Sequence, residues 1–186
     1  YIMNENKDYL LKGAMAYGMS FGIFWDIKYL FFILSLQVAF LGVVYWGMTA
    51  TGPYLAYILT KKYKQVIGGK ISFFHALQFG ILIYFFAALI ISLVHYIFYQ
   101  YIAPADYIEN SYKKSIEMMV AINMDSAIIE AVRNMGTPSN ISMTIQGIFN
   151  NTMYGIVFSI PVAAIVCRGY NSSESPKQEN TDNTIE

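Results

Sequence analysis

From Ile71 to Ala105 the chain carries no Asp, Glu, Lys or Arg. The hydrocarbon core of a bilayer is about 30 Å thick, so a helix rising about 1.5 Å per residue needs roughly 20 apolar residues to cross it. Phe79 to Phe98 alone meets that length, and the run is apolar on every side rather than along one stripe. Such a segment reads as a membrane span. Two further apolar runs, Tyr29 to Thr60 and Asn134 to Cys167, extend the same reading to most of the chain. Only 13% of its 186 residues are charged, against about 25% in ordinary soluble domains. The expected fold class is all-α: a polytopic membrane protein of four transmembrane helices, with an amphipathic helical insertion between the third and fourth.

Residues 1–9 read as a polar lead without a cleavable signal, with Met3 as the natural start. The membrane domain then covers 10–168. Its first span, about 10–35, contains Ala14, Gly18 and Gly22 at four-residue spacing, which puts small residues on one face where a neighbouring backbone can approach closely. Asp26 and Lys28 interrupt the run; a continuous helix to Ser35 is the favoured reading, the alternative being a short span ending at Trp25. The second span, about 38–60, holds Pro53, an expected kink, and leads into the basic connection KKYKQVIGGK with a Gly-Gly turn. The third span, about 72–102, opens on Ser72, His75 and Gln78 and leaves through a belt of Tyr96, Tyr99 and Tyr101. Residues 104–135 are amphipathic and charged, and read as a helical pair on the membrane or over the bundle mouth. Asp125 is the expected cap of the second of these helices and Gly136 its stop. Thr137-Pro138 reads as the start of the fourth span, about 138–167, which places Gly147, Asn151 and Gly155 on one face and a kink at Pro161. Residues 169–186 read as a disordered cytoplasmic tail.

Four spans put both ends on one side. With that side cytoplasmic, Lys7, Lys12, Lys61, Lys62, Lys64, Lys70, Arg168 and Lys177 face inward, whereas Lys28, Lys113, Lys114 and Arg133 face outward. The positive-inside rule therefore predicts N-in, C-in.

Certain polar residues are out of place in lipid, and each is a functional candidate. Counting at about 1.5 Å per residue, Lys28 and His95 lie roughly 10 Å below the outer surface, Gln146 roughly 12 Å, and Asn150 and Asn151 roughly 18 Å. Thr49 falls in the same band. Lys28, His95, Gln146, Asn150 and Asn151 are the candidate lining of one polar pocket beneath the amphipathic lid. Simpler readings stand beside it: Lys28 snorkels to headgroups, His95 packs as a neutral ring, and the asparagines join helices. His75 and His95 are the only histidines and lie near opposite faces, and the lone Cys167 forms no cluster, so no metal site and no cofactor are expected. No catalytic motif is present, and the zero net charge implies no attraction to nucleic acid.

The run GGKISFFHALQFGILIYFFAALIISLVHYIFYQYIAPADYI, followed by an amphipathic stretch and a span holding Asn150-Asn151, resembles a family of small bacterial membrane proteins. That family is catalogued as a domain of unknown function, number 4199. The resemblance runs from about Lys12 to Arg168 and implies four spans in a bacterial inner membrane, with no activity assigned. The function expected on this reading is a noncatalytic scaffold or accessory protein. The alternative is a small transporter or channel subunit using the polar pocket. Its partners are the lipid bilayer and either further copies of itself or another membrane protein.

Overall fold

A computed structural model describes residues 7–35 and 37–168. Six α-helices follow in order: α1 (Lys7–Ser35), α2 (Phe40–Val66), α3 (Phe73–Ile97), α4 (Tyr107–Ala121), α5 (Ser126–Met135) and α6 (Asn140–Val166). A π-helical turn, Phe98–Ile102, continues α3. No strand occurs among the described residues. The tail expected at 169–186 lies outside them, as does most of the polar lead.

α1 passes through Asp26 and Lys28 to Ser35 without a break, and Lys7 to Tyr9 belong to it rather than to the lead. α2 likewise outruns its expected end at Thr60, because KKYKQV contains good helix formers and nothing that stops a helix. The stop comes at Gly68 and Gly69, whose φ of 104° and 81° suit only glycine. Neither Pro53 nor Pro161 ends its helix. α3 is capped by the Ser72 hydroxyl, which accepts from the His75 amide at 3.3 Å. At α6 the cap is Ser139, accepting from the Ser142 amide at 3.2 Å, and not Thr137. Ser139 wins because its extended backbone presents its own hydroxyl to the first turn. The Asp125 cap on Ala127 (2.8 Å) and the left-handed Gly136 match the expectation.

Among the described residues three helices, not four, are long and apolar enough to cross a membrane: Tyr9–Ser35, Phe73–Ile102 and Asn140–Val166. α2 has the length but lacks the apolarity. Thr49, Thr51, Gly47, Gly52 and Pro53 dilute its middle, and Lys61, Lys62 and Lys64 occupy its last turns.

α3 is the central helix, packed most extensively against α1 and α6. Two adjoining rows of α3 are buried, His75-Phe79-Ile83-Ala87 and Ala76-Gly80-Tyr84-Ala88, while Phe74, Phe85, Leu89 and Leu93 stand exposed on its other side, so this helix is apolar all round. α1 buries Leu10, Ala14, Gly18, Phe21, Trp25 and Tyr29, a single helical stripe. Its small residues meet α3 of the same chain. A Cβ on Gly18 would lie 2.6 Å from Phe86 Cβ, and one on Gly22 would lie 2.9 Å from Ile90 Cβ. Residue numbers rise together across this contact, so α1 and α3 run parallel. α6 runs antiparallel: Gly80 faces Ser159, Gly155 faces Tyr84, and Gly147 faces His95. A Cβ at Gly155 would overlap Tyr84, whereas one at Gly147 would stand 3.4 Å from His95 Nδ1.

α2 is peripheral, lying against α1 and, less closely, α6. Its tightest attachment is at its C-terminal end, where Tyr63 stacks on Phe79 (3.9 Å between ring centres, 4° between planes) and its hydroxyl meets His75 Nε2 at 2.8 Å. α4 and α5 pack chiefly on each other, joined by Tyr112 Oη donating to the Val132 carbonyl (2.6 Å), and bury no residue fully.

Gly18→Leu and Gly22→Leu are expected to lower the stability of the single chain by about 1–3 kcal/mol through overpacking. Gly47→Leu, where a Cβ meets nothing within 4 Å, is expected to leave it unchanged. Thermal unfolding in detergent, followed by circular dichroism, compares the three.

Candidate functional site

The loose seating of α2 leaves a space between it, α1 and α6. Two adjoining cavities fill that space, of about 240 and 560 Å³. They share Trp25, Lys28, Tyr45 and Asn151, so the two chambers adjoin along these four side chains. The smaller chamber is completed by Tyr29 and Phe32 of α1, Ile91 and His95 of α3, Tyr99 of the π turn and Tyr107 of α4. The larger one opens between α2 and α6, past Thr49, Gly52 and Pro53 on one wall and Tyr154 and Phe158 on the other, with Tyr84 at its back.

Lys28 supplies the charge. Its stripe on α1 turns inward, and its ammonium sits 5.5 Å from the Trp25 ring centre and 5.2 Å from that of Tyr45. Aromatic faces attract a cation but do not neutralise it. No carboxylate among the described residues pairs with it: the ion pair formed there by a membrane-domain lysine is Lys113–Glu109, on the exposed face of α4. His95 is fixed edge-on to Tyr29 (ring centres 4.2 Å apart) and leans toward Tyr99. Lys28, His95 and Asn151 make no hydrogen bond to another described residue. The Tyr84 hydroxyl is buried and likewise lacks a partner. Three polar groups thus reach the two chambers without a hydrogen bond to a described residue, and the Tyr84 hydroxyl beside them is buried without one, at a cost of about 1–3 kcal/mol if it stays unsatisfied.

Of the five residues singled out in the sequence, the structure brings together Lys28, His95 and Asn151. Gln146 and Asn150 are exposed on α6 and line neither chamber. Asn150 is adjacent to Asn151 but points about 100° away around the helix. Asp26 also lies outside the lining, with one carboxylate oxygen buried and unpartnered. The tyrosines went unseen. Tyr99 reads in sequence as part of an interfacial belt, yet it is half-buried in the site, whereas Tyr101 of the same belt is 78% exposed. Two residues apart, they point about 200° away from each other around the helix, and Tyr99 follows His95 by four residues on the row that faces the site. Ala103 N bonds to the Phe98 carbonyl (2.8 Å), five residues back, which closes the π turn that holds both. Trp25 and Tyr29 were legible in principle, being the continuation of the Ala14-Gly18 stripe. Tyr107 carries α4 into the site by ring contacts with Phe98 and Tyr99. Burial, then the neighbouring Tyr99, pushes its phenol up from the ordinary tyrosine range, so it remains a neutral donor at physiological pH.

The arrangement can hold an anion or a hydrated polar group. A fixed cation faces it, phenol, imidazole and amide groups surround it, and no group of three His, Cys, Asp or Glu side chains that could hold a metal occurs among the described residues.

A family model described as "Protein of unknown function (DUF4199)" matches residues 16–168, most of the chain. The chain belongs to this family. The match ends at Arg168 and takes in every residue of the site and all of the helices apart from residues 7–15 at the start of α1. No curated protein and no solved structure matches the chain.

Replacing a half-buried ammonium that pairs with no described carboxylate by an apolar side chain of similar length relieves a charge held within α1. Lys28→Met is therefore expected to raise the stability of the ligand-free protein by about 2 kcal/mol. The same unfolding measurement in detergent reads it.

Proposed function

We propose that this is a noncatalytic four-span protein of a bacterial inner membrane that holds a small, negatively charged polar solute in the Lys28 cavity, as a transport or channel subunit. The observation that carries this reading is the gathering of Lys28, His95, Asn151 and Tyr84 on two adjoining cavities, with no hydrogen bond from any of the four to another described residue. α2 serves as the fourth span. Its outward residues support that role: Phe40, Val43, Trp46 and Tyr54 are each at least 66% exposed, a surface suited to lipid. N-in, C-in orientation puts Lys61, Lys62, Lys64, Lys70 and Arg168 in the cytoplasm and the cavity in the outer half of the bilayer. α4 and α5 then lie at the outer interface, where Met118, Ile122 and Met135, each at least 64% exposed, meet the headgroup region.

A purely structural role, as scaffold or accessory to another membrane protein, is the second reading. It is favoured by the exposed apolar faces of α2 and α6, which could meet protein as well as lipid. The small-residue face of α1 does not support it, being occupied by α3 of the same chain.

Single cysteines at Lys28, His95, Asn151 and Asn150, each in a Cys167→Ser background, distinguish the two. A membrane-impermeant thiol reagent applied from outside is expected to label the first three at least tenfold faster than Asn150→Cys, whose side chain faces outward from the bundle. Equal, slow labelling at all four positions in correctly inserted protein would mean a dry bundle and favour the scaffold.

A further inference from the structure

At the end of the bundle remote from Lys28, α2 and α6 enclose a separate hollow of about 230 Å³. Tyr57, Lys61 and Lys64 reach it from α2, and Ile165 and Arg168 from the end of α6. The α2 residues recur at i, i+4 and i+7, so one face passes from aromatic to cationic within two turns. Ile165 and Arg168, three apart, repeat the change from apolar to cationic on α6. Both helices end here, so the two gradients run side by side.

Capping accounts for one of the three cations. Lys64 Nζ donates to the carbonyls of Val166 (2.7 Å) and Arg168 (3.3 Å), which satisfies the C-terminus of α6. Lys61 and Arg168 have no such duty. Both side chains are exposed, and neither pairs with a described carboxylate. The acidic residues from Asp106 to Glu130 all lie on the α4–α5 pair at the other end of the bundle. Among the described residues the hollow therefore combines surplus positive charge with an apolar flank, Ile165 being 47% exposed. A phosphate joined to acyl chains has the matching polarity, and basic pockets between spans at the cytoplasmic face are suited to such headgroups.

We infer that this hollow seats the phosphate of an anionic phospholipid, with Lys61 and Arg168 as its contacts and Tyr57 and Ile165 beside the chains. The inference needs the bundle to stand in a bilayer, but it does not depend on what occupies the Lys28 cavity.

Native mass spectrometry of the full chain, titrated with phosphatidylglycerol or with phosphatidylcholine of matched chains, tests it. Phosphatidylglycerol is expected to be retained at least tenfold more strongly. The double variant K61Q/R168Q is expected to lose about fivefold for each cation removed, whereas K113Q/K114Q, on α4, keeps wild-type retention. Equal retention of the two lipids by the wild-type chain overturns the inference without recourse to any variant. An equal loss in both double variants also overturns it, since net charge would then be the cause. Displacement of phosphatidylglycerol by low-millimolar inorganic phosphate would reassign the hollow to a free anion.

Discussion

The bundle depends on how closely two helices approach α3. In lipid the solvent is as apolar as the side chains, so burial gives little drive for helices to associate, and packing must supply it. Here small residues supply it on both sides of α3. Gly18 and Gly22 bring α1 close on one side, and Gly80 and Gly155 bring α6 close on the other. The remaining layout follows from these two seams. With α1 and α6 bound to α3, α2 is left to the rim, where neither Gly47 nor Gly52 has a neighbour within 4 Å of a built Cβ. The gap that α2 fails to close is the site.

That gap explains how a charged side chain persists deep in the chain. Lys28 has no carboxylate partner among the described residues and is half-buried, and it stands over the rings of Trp25 and Tyr45. Tyr29, Tyr99 and Tyr107 surround the same chamber, each with a rigid apolar ring and one polar tip. A wall of this kind tolerates either water or a polar guest, because every hydroxyl can turn to donate or accept. The exposed Gln146 and Asn150 have no such surroundings.

Much of the fold was legible because its signals are compositional or periodic. The uncharged run to Ala105 marked α3, the spacing of Ala14, Gly18 and Gly22 marked a packing face, and Asp125 and Gly136 bracketed α5. Where reading failed, local and tertiary forces diverged. α2 looked like an apolar span of moderate length, yet its glycines, threonines and lysines make a longer and less apolar helix. The site was half legible. Counting depth along helices found Lys28, His95 and Asn151, but depth carries no rotational information, so it admitted Gln146 and Asn150 equally. Tyr99 was missed because a tyrosine within a belt looks the same whether it faces headgroups or a cavity, although its place four residues after His95 put it on the same helical row.

α2 is fastened at both ends, by different neighbours. At one end Tyr63, stacked on Phe79, and Lys64, bonded to the Val166 carbonyl, fix it to α3 and α6. At the other, near the start of the helix, Tyr45 packs on Phe32 of α1. Between the two stands Pro53, which lines the larger chamber and whose missing amide removes one backbone bond from that turn. A helix pinned at its ends and softened in its middle bows rather than swings, so the compliance of α2 is concentrated at the cavity wall.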